Sequence, residues 1–263
     1  MREKFWTLPL PGPLVQVMRR ALKGRHVAAQ APFQAAVENK IGLEIGGPSP
    51  IFRNRGELPI YRHMTGLDNC VFSANTVWEG KRPTGRSFSY QPGKNKGLNF
   101  IQEATDLRDI ADHSYDFVLS SHSLEHIANP VKALGEWTRV VKPRGAIIVV
   151  LPDYRLTFDH RRRPTSVAHM MEDYEQGTDE NDLSHLTEIL ELHDLVLDPF
   201  VTSKDDFHQR SLRNCENRCL HHHVFDERNS RELFETVSLR VEIQELIKPF
   251  HIVSLTRCPS DGA

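Results

Sequence analysis

Short apolar runs recur along residues 40–152, and each run ends at residues that favour turns. The first run reaches Ile45, and later runs occupy residues 115–121 and 146–151. Runs that are apolar on both faces are typical of buried parallel strands. The pattern therefore predicts a parallel sheet, whose strands are joined by right-handed crossovers.

Other elements of this sheet are predicted from turn and capping residues. Asn129-Pro130 is a typical helix start, and Lys142-Pro143-Arg144-Gly145 ends the apolar helix that follows. Two more strands are predicted within residues 63–72 and 98–107. Between them, residues 73–97 are rich in Gly, Pro, Lys, Ser and Asn, as expected of either a functional lid or a disordered loop.

The regular pattern stops after Asp153. Residues 154–222 are rich in charges and histidines, and they predict at most two or three helices, near 167–174 and 182–192. Asp226 is then placed to cap a helix that runs to about Val237. Two strands, at 240–246 and 250–256, follow with so short a connection that they must be antiparallel.

The chain is accordingly divided into four parts. Residues 1–39 form an N-terminal arm with a short amphipathic helix at 14–23, residues 40–153 form the core, and residues 154–222 form an insertion on the acceptor side. Residues 223–263 return to complete the core. The predicted fold is α/β, with a Rossmann-like doubly wound sheet that is mostly parallel, a C-terminal antiparallel hairpin strand and a mainly helical insertion.

Composition narrows the class of protein. The 263 residues are 26% charged with a formal net charge of −2, which predicts a globular protein that does not bind nucleic acid through bulk charge. There is no apolar run of the ~20 residues that a membrane span needs and no signal-peptide core, so a cytoplasmic location is expected. Four cysteines in a chain of this length do not indicate a disulfide framework.

The turn after the first strand carries the first candidate chemistry. Glu44 stands just before the turn, separated from Gly46-Gly47 by Ile45 alone, at the carboxyl end where open α/β sheets bind ligands. The G-x-G-x-x-G pattern is broken, and a carboxylate repels phosphates, so the turn favours a cationic ligand such as S-adenosylmethionine over a dinucleotide. A tight structural turn with an incidental glutamate is the alternative.

Asp68 comes 24 residues after Glu44, near the expected end of the second strand. A carboxylate at that place in doubly wound folds accepts hydrogen bonds from both ribose hydroxyls. The alternative is an ordinary turn residue that ends the strand.

Several motifs in order resemble those of the class I S-adenosylmethionine-dependent methyltransferases, especially the type 11 group. They lie at residues 43–47, at Asp68, and at 103–107, 116–126 and 140–145, so that the resemblance covers about residues 40–152. Residues 157–162 and 221–225 are in turn similar to a bacterial subgroup associated with surface-glycan biosynthesis.

This resemblance implies a set of cofactor-binding residues. Glu44, Gly46 and Gly47 would line the methionine moiety, Asp68 with Asn69 would hold the ribose, Glu103 and Ala104 would recognise the adenine edge, and Ser121 and His122 would lie beside the sulfonium. The sequence departs from the family at Gly47-Pro48-Ser49, where the final glycine of the first motif is replaced.

Methyl transfer to a hydroxyl needs a nucleophile on the methyl axis and a base with a pKa near neutral. His126 and His122 are the candidates in the core, and His160, oriented by Asp159, is the candidate in the insertion. The alternatives are that His126 is a helix-start residue bonded to backbone and that His160 is a surface residue of a basic run.

Cys215, Cys219 and the three histidines 221–223 offer the ligand types that zinc prefers. Their spacing matches no standard structural site, and adjacent histidines rarely face one point, so no metal is expected; a histidine-lined acceptor wall or a strand edge is the favoured interpretation. A magnesium site would need convergent carboxylates, which spacing does not locate.

The expected function is S-adenosylmethionine-dependent O-methylation of a sugar, a glycan or a related small hydroxylated acceptor, with the acceptor and the oligomeric state left open. Two alternatives belong to other classes. One is a protein that binds the cofactor without turnover. The other is a nicotinamide-dependent oxidoreductase, which Glu44 and the broken glycine pattern disfavour.

Overall fold

The computed structural model describes residues 27–76, 80–81, 83–198 and 200–260, so the arm and helix expected within residues 1–26 lie outside the described residues. The strands are β1 Ile41–Ile45, β2 Gly66–Val71, β3 Asn75–Thr76, β4 Gly80–Lys81, β5 Gly85–Phe88, β6 Gly97–Ile101, β7 Tyr115–Ser121, β8 Val141–Pro152, β9 Arg240–Ile247 and β10 His251–Arg257. The α-helices are α1 Gln30–Val37, α2 Pro130–Val140, α3 Val167–Gln176, α4 Leu186–Leu192, α5 Lys204–Leu212, α6 Asn214–Asn217 and α7 Glu227–Thr236.

Eight of the described strands form one sheet in the order β5-β6-β2-β1-β7-β8-β10-β9. The five central strands, from β6 to β8, pair in parallel. β10 pairs antiparallel with both β8 and β9, and β5 pairs antiparallel with β6 at the other edge. This topology confirms the Rossmann-like fold with a C-terminal antiparallel hairpin.

Alternation along the central strands sends side chains into two apolar cores, one on each face of the sheet. Val118 of β7 belongs to the core under α2, where Trp137 is fully buried and donates its indole N–H to the Ala104 carbonyl at 3.0 Å. Phe117, one residue earlier, belongs to the core under α1. Two buried faces explain why residues 117–119 of β7 and 146–152 of β8 are continuously apolar.

The predicted helix boundaries in the core are confirmed. The Asn129 side chain accepts a hydrogen bond from the Lys132 amide at 3.0 Å, and Pro130 is the first residue of α2. The Asp226 carboxylate likewise caps α7, and Asn229 completes a capping box. A short polar side chain before an apolar face therefore located both helices correctly.

The segment 73–97 contains more structure than its composition indicates. β3 and β4 form a small hairpin, and β5 extends the main sheet beyond β6. The lid-or-disordered expectation is therefore wrong for β5, a strand of Gly, Arg, Ser and Phe whose polarity reflects its place at an exposed edge.

The insertion holds four α-helices in its described residues, more than the two or three expected. Two helices lie outside the predicted positions, α5 and the short α6. α5 begins at a Ser203 cap but is rich in charged residues, with only Phe207 and Ser211 buried. Phe207 packs with Ile189 and Leu220 in a small core of the insertion's own. None of the described helices is both long and apolar enough to cross a membrane.

A buried ion pair holds α5 against the segment before it. The Asp198 carboxylate lies 2.7 Å from an Arg210 guanidinium nitrogen and 3.0 Å from Nε2 of His193, and it accepts the Phe200 amide at 2.9 Å. Burial alone would raise the pKa of Asp198, but the bonds from His193 and Arg210 outweigh it and hold this pKa well below its usual range.

We expect Asp198 to make the insertion acid-sensitive. Because its folded-state pKa is depressed, its stabilising contribution is present above the unfolded pKa of about 3.9 and is lost as the pH falls further. Urea unfolding at pH 7 and at pH 3 should show a smaller loss of stability for Asp198→Asn than for the unmodified protein. Asp205→Asn, at an exposed position on α5, is the control and should not change the loss. An equal loss in all three proteins would contradict the assignment.

Candidate functional site

The sheet reverses its strand order between β1 and β7. From β1 the chain proceeds outward to β2 and β6, then returns to the other side of β1 with β7 and β8. In open α/β sheets, ligands bind at the carboxyl ends of the strands that flank such a switch point. Gly46-Gly47 follows β1 there, and His122 follows β7. The candidate site is therefore at this edge.

The glycine turn fits tightly between its neighbours. Gly46 has a left-handed φ of 75°, and a Cβ added to it would lie 2.6 Å from Oγ of Ser123. The Gly47 amide donates to Oδ1 of Asn69 at 2.9 Å, and Asn69 in turn donates to Asn99 at 2.7 Å. Asn69, predicted as a ribose neighbour, instead supports the turn from inside the sheet.

Glu44 is fully buried, and both oxygens of its carboxylate are used inside the protein. The Tyr61 hydroxyl lies 2.8 and 2.7 Å from the two oxygens, and Oε1 also accepts from Oγ of Ser49 at 2.7 Å and from its amide at 3.1 Å. Burial and the adjacent Glu44 raise the pKa of Tyr61 well above its usual value. The expectation that Glu44 lines the methionine moiety is therefore corrected: its carboxylate holds the turn closed.

Asp68 does not lie at the carboxyl edge. It is the third residue of β2, which continues to Val71, so the expectation that it ends the strand is wrong. Asp68 pairs in register with Leu43 whereas Glu44 pairs with Asn69, so the Glu44 and Asp68 side chains project from opposite faces of the sheet. Asp68 accepts from the Tyr115 hydroxyl at 2.8 Å and from the Leu98 amide at 2.7 Å, which ties β2 to the starts of β7 and β6.

Glu103 and Ala104 follow β6 at the predicted edge. The Glu103 carboxylate, 43% exposed, lies 2.5 Å from the Arg218 guanidinium, which also pairs with Glu180 at 2.8 Å. Arg218 stands 5.1 Å from the ring centre of Phe72, the residue after β2. Burial raises the pKa of Glu103 more than Arg218 lowers it. An arginine of the insertion thus covers the edge where the adenine was expected.

His122 follows Ser121 at the end of β7 and has a left-handed φ of 51°. Its Nε2 lies 2.8 Å from Nδ1 of His251, and its Nδ1 lies 3.4 Å from Oε1 of Glu125. One tautomer satisfies both contacts, with His122 donating to Glu125 and accepting from His251. His122 therefore links β10 to the turn after β7.

His126 lies next to this link and is partly buried. Its Nδ1 lies 3.0 Å from the Leu220 carbonyl, and its ring meets that of His221 edge to face with centroids 4.5 Å apart. Burial, together with the charge of His221, lowers the pKa of His126 to about 3. Since general-base catalysis works best with a pKa near the operating pH, the base role expected of His126 is not supported at neutral pH.

His221 belongs to a buried series of hydrogen bonds that joins the start of the insertion to its end. Its Nδ1 lies 2.5 Å from Oδ2 of Asp159, whose other oxygen accepts from Arg162 at 3.0 Å. Arg162 also donates to the carbonyls of His221 and His222. Desolvation of Asp159 is outweighed by His221 and Arg162, which lower its pKa to about 2, and Asp159 raises the pKa of His221 despite burial.

These hydrogen bonds differ from the pairing expected for His160. Asp159 orients His221, 62 residues away, rather than the adjacent histidine. His160, 34% exposed, bonds instead to Asp194 at 3.0 Å. Sequence reasoning missed His221 as the partner because only tertiary packing brings the two segments together.

The cysteines do not join the histidines. Cys215 is exposed, and burial raises the pKa of the Cys219 thiol to about 11. Nε2 of His222 lies 2.9 Å from the Asn214 amide nitrogen, whereas Nε2 of His223 lies 3.1 Å from the Ala128 carbonyl. The three adjacent histidines therefore contact three different partners, and the cysteine-histidine zinc site considered from the sequence is not formed among the described residues.

Part of the core resembles a known protein family. Residues 74–149 match the family model described as "Methyltransferase domain". The matched segment contains Glu103, Ser121, His122 and His126 but ends short of the insertion, and it begins after Glu44, Gly46, Gly47 and Asp68.

The chain is also similar to a ubiquinone/menaquinone biosynthesis C-methyltransferase of Bdellovibrio bacteriovorus, with 38% identity over 63 residues. The match covers 22% of this chain and 27% of that relative. Among solved structures, an S-adenosylmethionine-dependent methyltransferase of Methanosarcina mazei has 11% identity and a TM-score of 0.48, with 89% of this chain and 100% of that one covered. The 1,6-didemethyltoxoflavin-N1-methyltransferase of Burkholderia thailandensis has 10% identity and a TM-score of 0.45, with coverages of 93% and 84%.

Proposed function

We propose, from the methyltransferase domain in its core, that the protein is an S-adenosylmethionine-dependent methyltransferase. One observation carries the proposal: the segment matched to that domain supplies the carboxyl ends of β6 and β7, which stand on either side of a side-chain-free turn at the switch point of the sheet. When bound, the cofactor supplies a methyl group already activated by positive sulfur. The protein's task is then to hold an acceptor in line with it and to exclude water.

The residues present fit this cofactor at the turn and at Glu103, though not at Glu44 or Asp68. The glycine turn lets a ligand approach backbone, and Ser120, opposite Ile45 in the register, has a buried hydroxyl that makes no hydrogen bond within the described residues. Glu103 offers a partly exposed carboxylate at the end of β6. In this proposal Gly46, Gly47, Ser121 and His122 lie along the methionine end, and Glu103 with Ala104 lies along the nucleoside end.

A polar, hydroxylated acceptor such as a sugar or glycan suits the insertion better than an apolar one. The groups that meet between the end of β7 and the insertion are all polar, and all but the partly buried His126 are buried: Glu125, His126, His221 and Asp159. Burying such groups is costly unless hydrogen bonds satisfy them, which hydroxyl groups are able to supply. O-methylation of a small hydroxylated molecule follows as the proposed reaction.

Glu44 is not evidence for one cofactor over another, because its carboxylate is hydrogen-bonded inside the protein. Against a nicotinamide oxidoreductase there remain the broken glycine pattern and the methyltransferase-domain match. A silent binding protein differs from an enzyme only in turnover. Both alternatives are separated from the proposal by measuring binding and product formation side by side.

We expect S-adenosylhomocysteine to bind in calorimetry and Glu103→Gln to weaken it about tenfold or more, since a hydrogen bond to a charged group contributes about 1.5–3 kcal/mol. Glu235→Gln, at a 57% exposed position on α7, is the control and should bind normally. Transfer of labelled methyl to fractionated glycans tests turnover. Binding of a nicotinamide dinucleotide but not of S-adenosylhomocysteine would overturn the proposal, and binding without any labelled product would favour the silent protein.

A further inference from the structure

We propose that Glu125, His126 and His221 form a binding site for one divalent transition-metal ion. One nitrogen or carboxylate oxygen from each residue lies within 4.8 Å of the others. Glu125 and His126 belong to the turn Leu124–His126 after β7, whereas His221 comes from the insertion. The site would therefore join the core to the insertion at the edge that carries the glycine turn.

The hydrogen bonds of the two histidines fix the tautomer that metal-binding histidines have. Nδ1 of His126 lies 3.0 Å from a backbone carbonyl oxygen and Nδ1 of His221 lies 2.5 Å from a carboxylate oxygen, and neither oxygen has a proton to donate. In each ring Nδ1 must therefore be the donor, which in the neutral ring places the lone pair on Nε2. Metal-binding histidines nearly always have their second nitrogen fixed in this way, by a carboxylate or a carbonyl.

Glu125 supplies the independent observation that points to a cation. Its side chain is 1% exposed, and Oε2 is buried without a hydrogen-bond partner among the described residues. Its other oxygen meets His122 only at 3.4 Å. A buried carboxylate oxygen without a donor is costly, and buried charges are usually either paired or coordinated to metals.

The ligand types select the class of ion. Two imidazoles and one carboxylate suit zinc, iron, nickel or copper, whereas magnesium and calcium prefer oxygen ligands throughout. Three protein ligands leave coordination positions open, as in catalytic rather than structural zinc sites. Asp159, the carboxylate bonded to His221, is already paired with Arg162. Glu125 is therefore the carboxylate that would balance the positive charge of the ion.

Metal binding does not depend on the proposed function, but its consequence does. If the acceptor is a hydroxyl that reaches the open positions, a bound cation lowers its pKa and makes it a better nucleophile.

The test uses the full chain expressed without a polyhistidine tag. After treatment with a chelator, we expect Co²⁺ titration to give visible d–d absorption that saturates at about one ion per chain, and Zn²⁺ to displace it. Glu125→Gln and His126→Gln should each weaken Co²⁺ binding by about 100-fold, and Asp159→Asn by about 10- to 100-fold, as second ligand shells usually do. His160→Gln, a histidine bonded to Asp194 outside the cluster, should bind normally.

Circular dichroism of each variant separates loss of the site from loss of the fold; if Glu125→Gln does not fold, Asp159→Asn decides. The proposal is overturned if no ion binds, or if Glu125→Gln and His126→Gln bind Co²⁺ as the unmodified protein does. It is also overturned if only His169→Gln removes the absorption, because His169, Asp173 and His185 form the other candidate cluster. No cofactor is present in these measurements, so failure of the methyltransferase proposal would leave them interpretable.

Discussion

Replacing Arg162 by methionine is expected to lower the free energy of unfolding by about 3–5 kcal/mol, the range for breaking one half of a buried ion pair. Arg162 is 2% exposed and Asp159 3% exposed, so the substitution leaves a carboxylate without its cation in the interior. It also removes the donors to the carbonyls of His221 and His222. The two hydrogen bonds that Arg162 makes from the start of the insertion to its end are then lost.

Thermal unfolding and urea titration both measure this effect, and a fall in Tm of about 6–20 °C corresponds to that range for a chain of this size. The neighbouring Arg161 is the matched control. It is 51% exposed and pairs with Asp194 at the surface, so Arg161→Met should cost less than about 1 kcal/mol. An equal loss of stability in the two variants would show that the buried hydrogen bonds of Arg162 do not hold the insertion in place.

Glu44→Ala is expected to destabilise the protein by about 2–4 kcal/mol in the absence of any cofactor, because it leaves Tyr61 and Ser49 donors buried without an acceptor. Gly47 packs directly against this carboxylate, at a distance that leaves no room for a Cβ. Loss of the carboxylate should therefore loosen the turn and weaken S-adenosylhomocysteine binding as a secondary effect.

Urea unfolding of the cofactor-free protein, paired with calorimetry, separates the two roles of a glutamate at this edge. Glu103→Gln is the matched comparison, since its carboxylate is 43% exposed and should affect binding with little change in stability. If Glu44 were instead a ligand to the cofactor, Glu44→Ala would leave the cofactor-free stability unchanged while abolishing binding.

The strands and helices that the sequence predicted correctly share one property: a single segment contains the whole signal. β7 is apolar on both faces because both cores lie against it, and the capping residue Asp226 contacts its own helix. The antiparallel hairpin of β9 and β10 likewise followed from the short connection between them. Elements of this kind are determined by local spacing and burial.

The candidate site was less predictable because its contacts are long-range. The apolar pattern could not show that Tyr61 reaches Glu44, nor that Asp68 bonds to the starts of β6 and β7. The second contact depends on how β2 is placed in the sheet beside β1 and β6, which the residues of β2 alone do not determine. The contact between Asp159 and His221 was likewise not predictable, because it depends on how the two ends of the insertion come together in the folded protein.

The position of β10 has a consequence for how the protein is made. β10 lies between β8 and β9, so the β8 edge has no partner until residues 251–257 have left the ribosome. Until then β8, which is apolar over residues 146–152, exposes unpaired amide and carbonyl groups at its edge. Such an edge is able to pair with a strand of another molecule and so to start aggregation. Ribosome-bound chains halted before residue 251 should therefore depend on chaperones far more than chains released after residue 257.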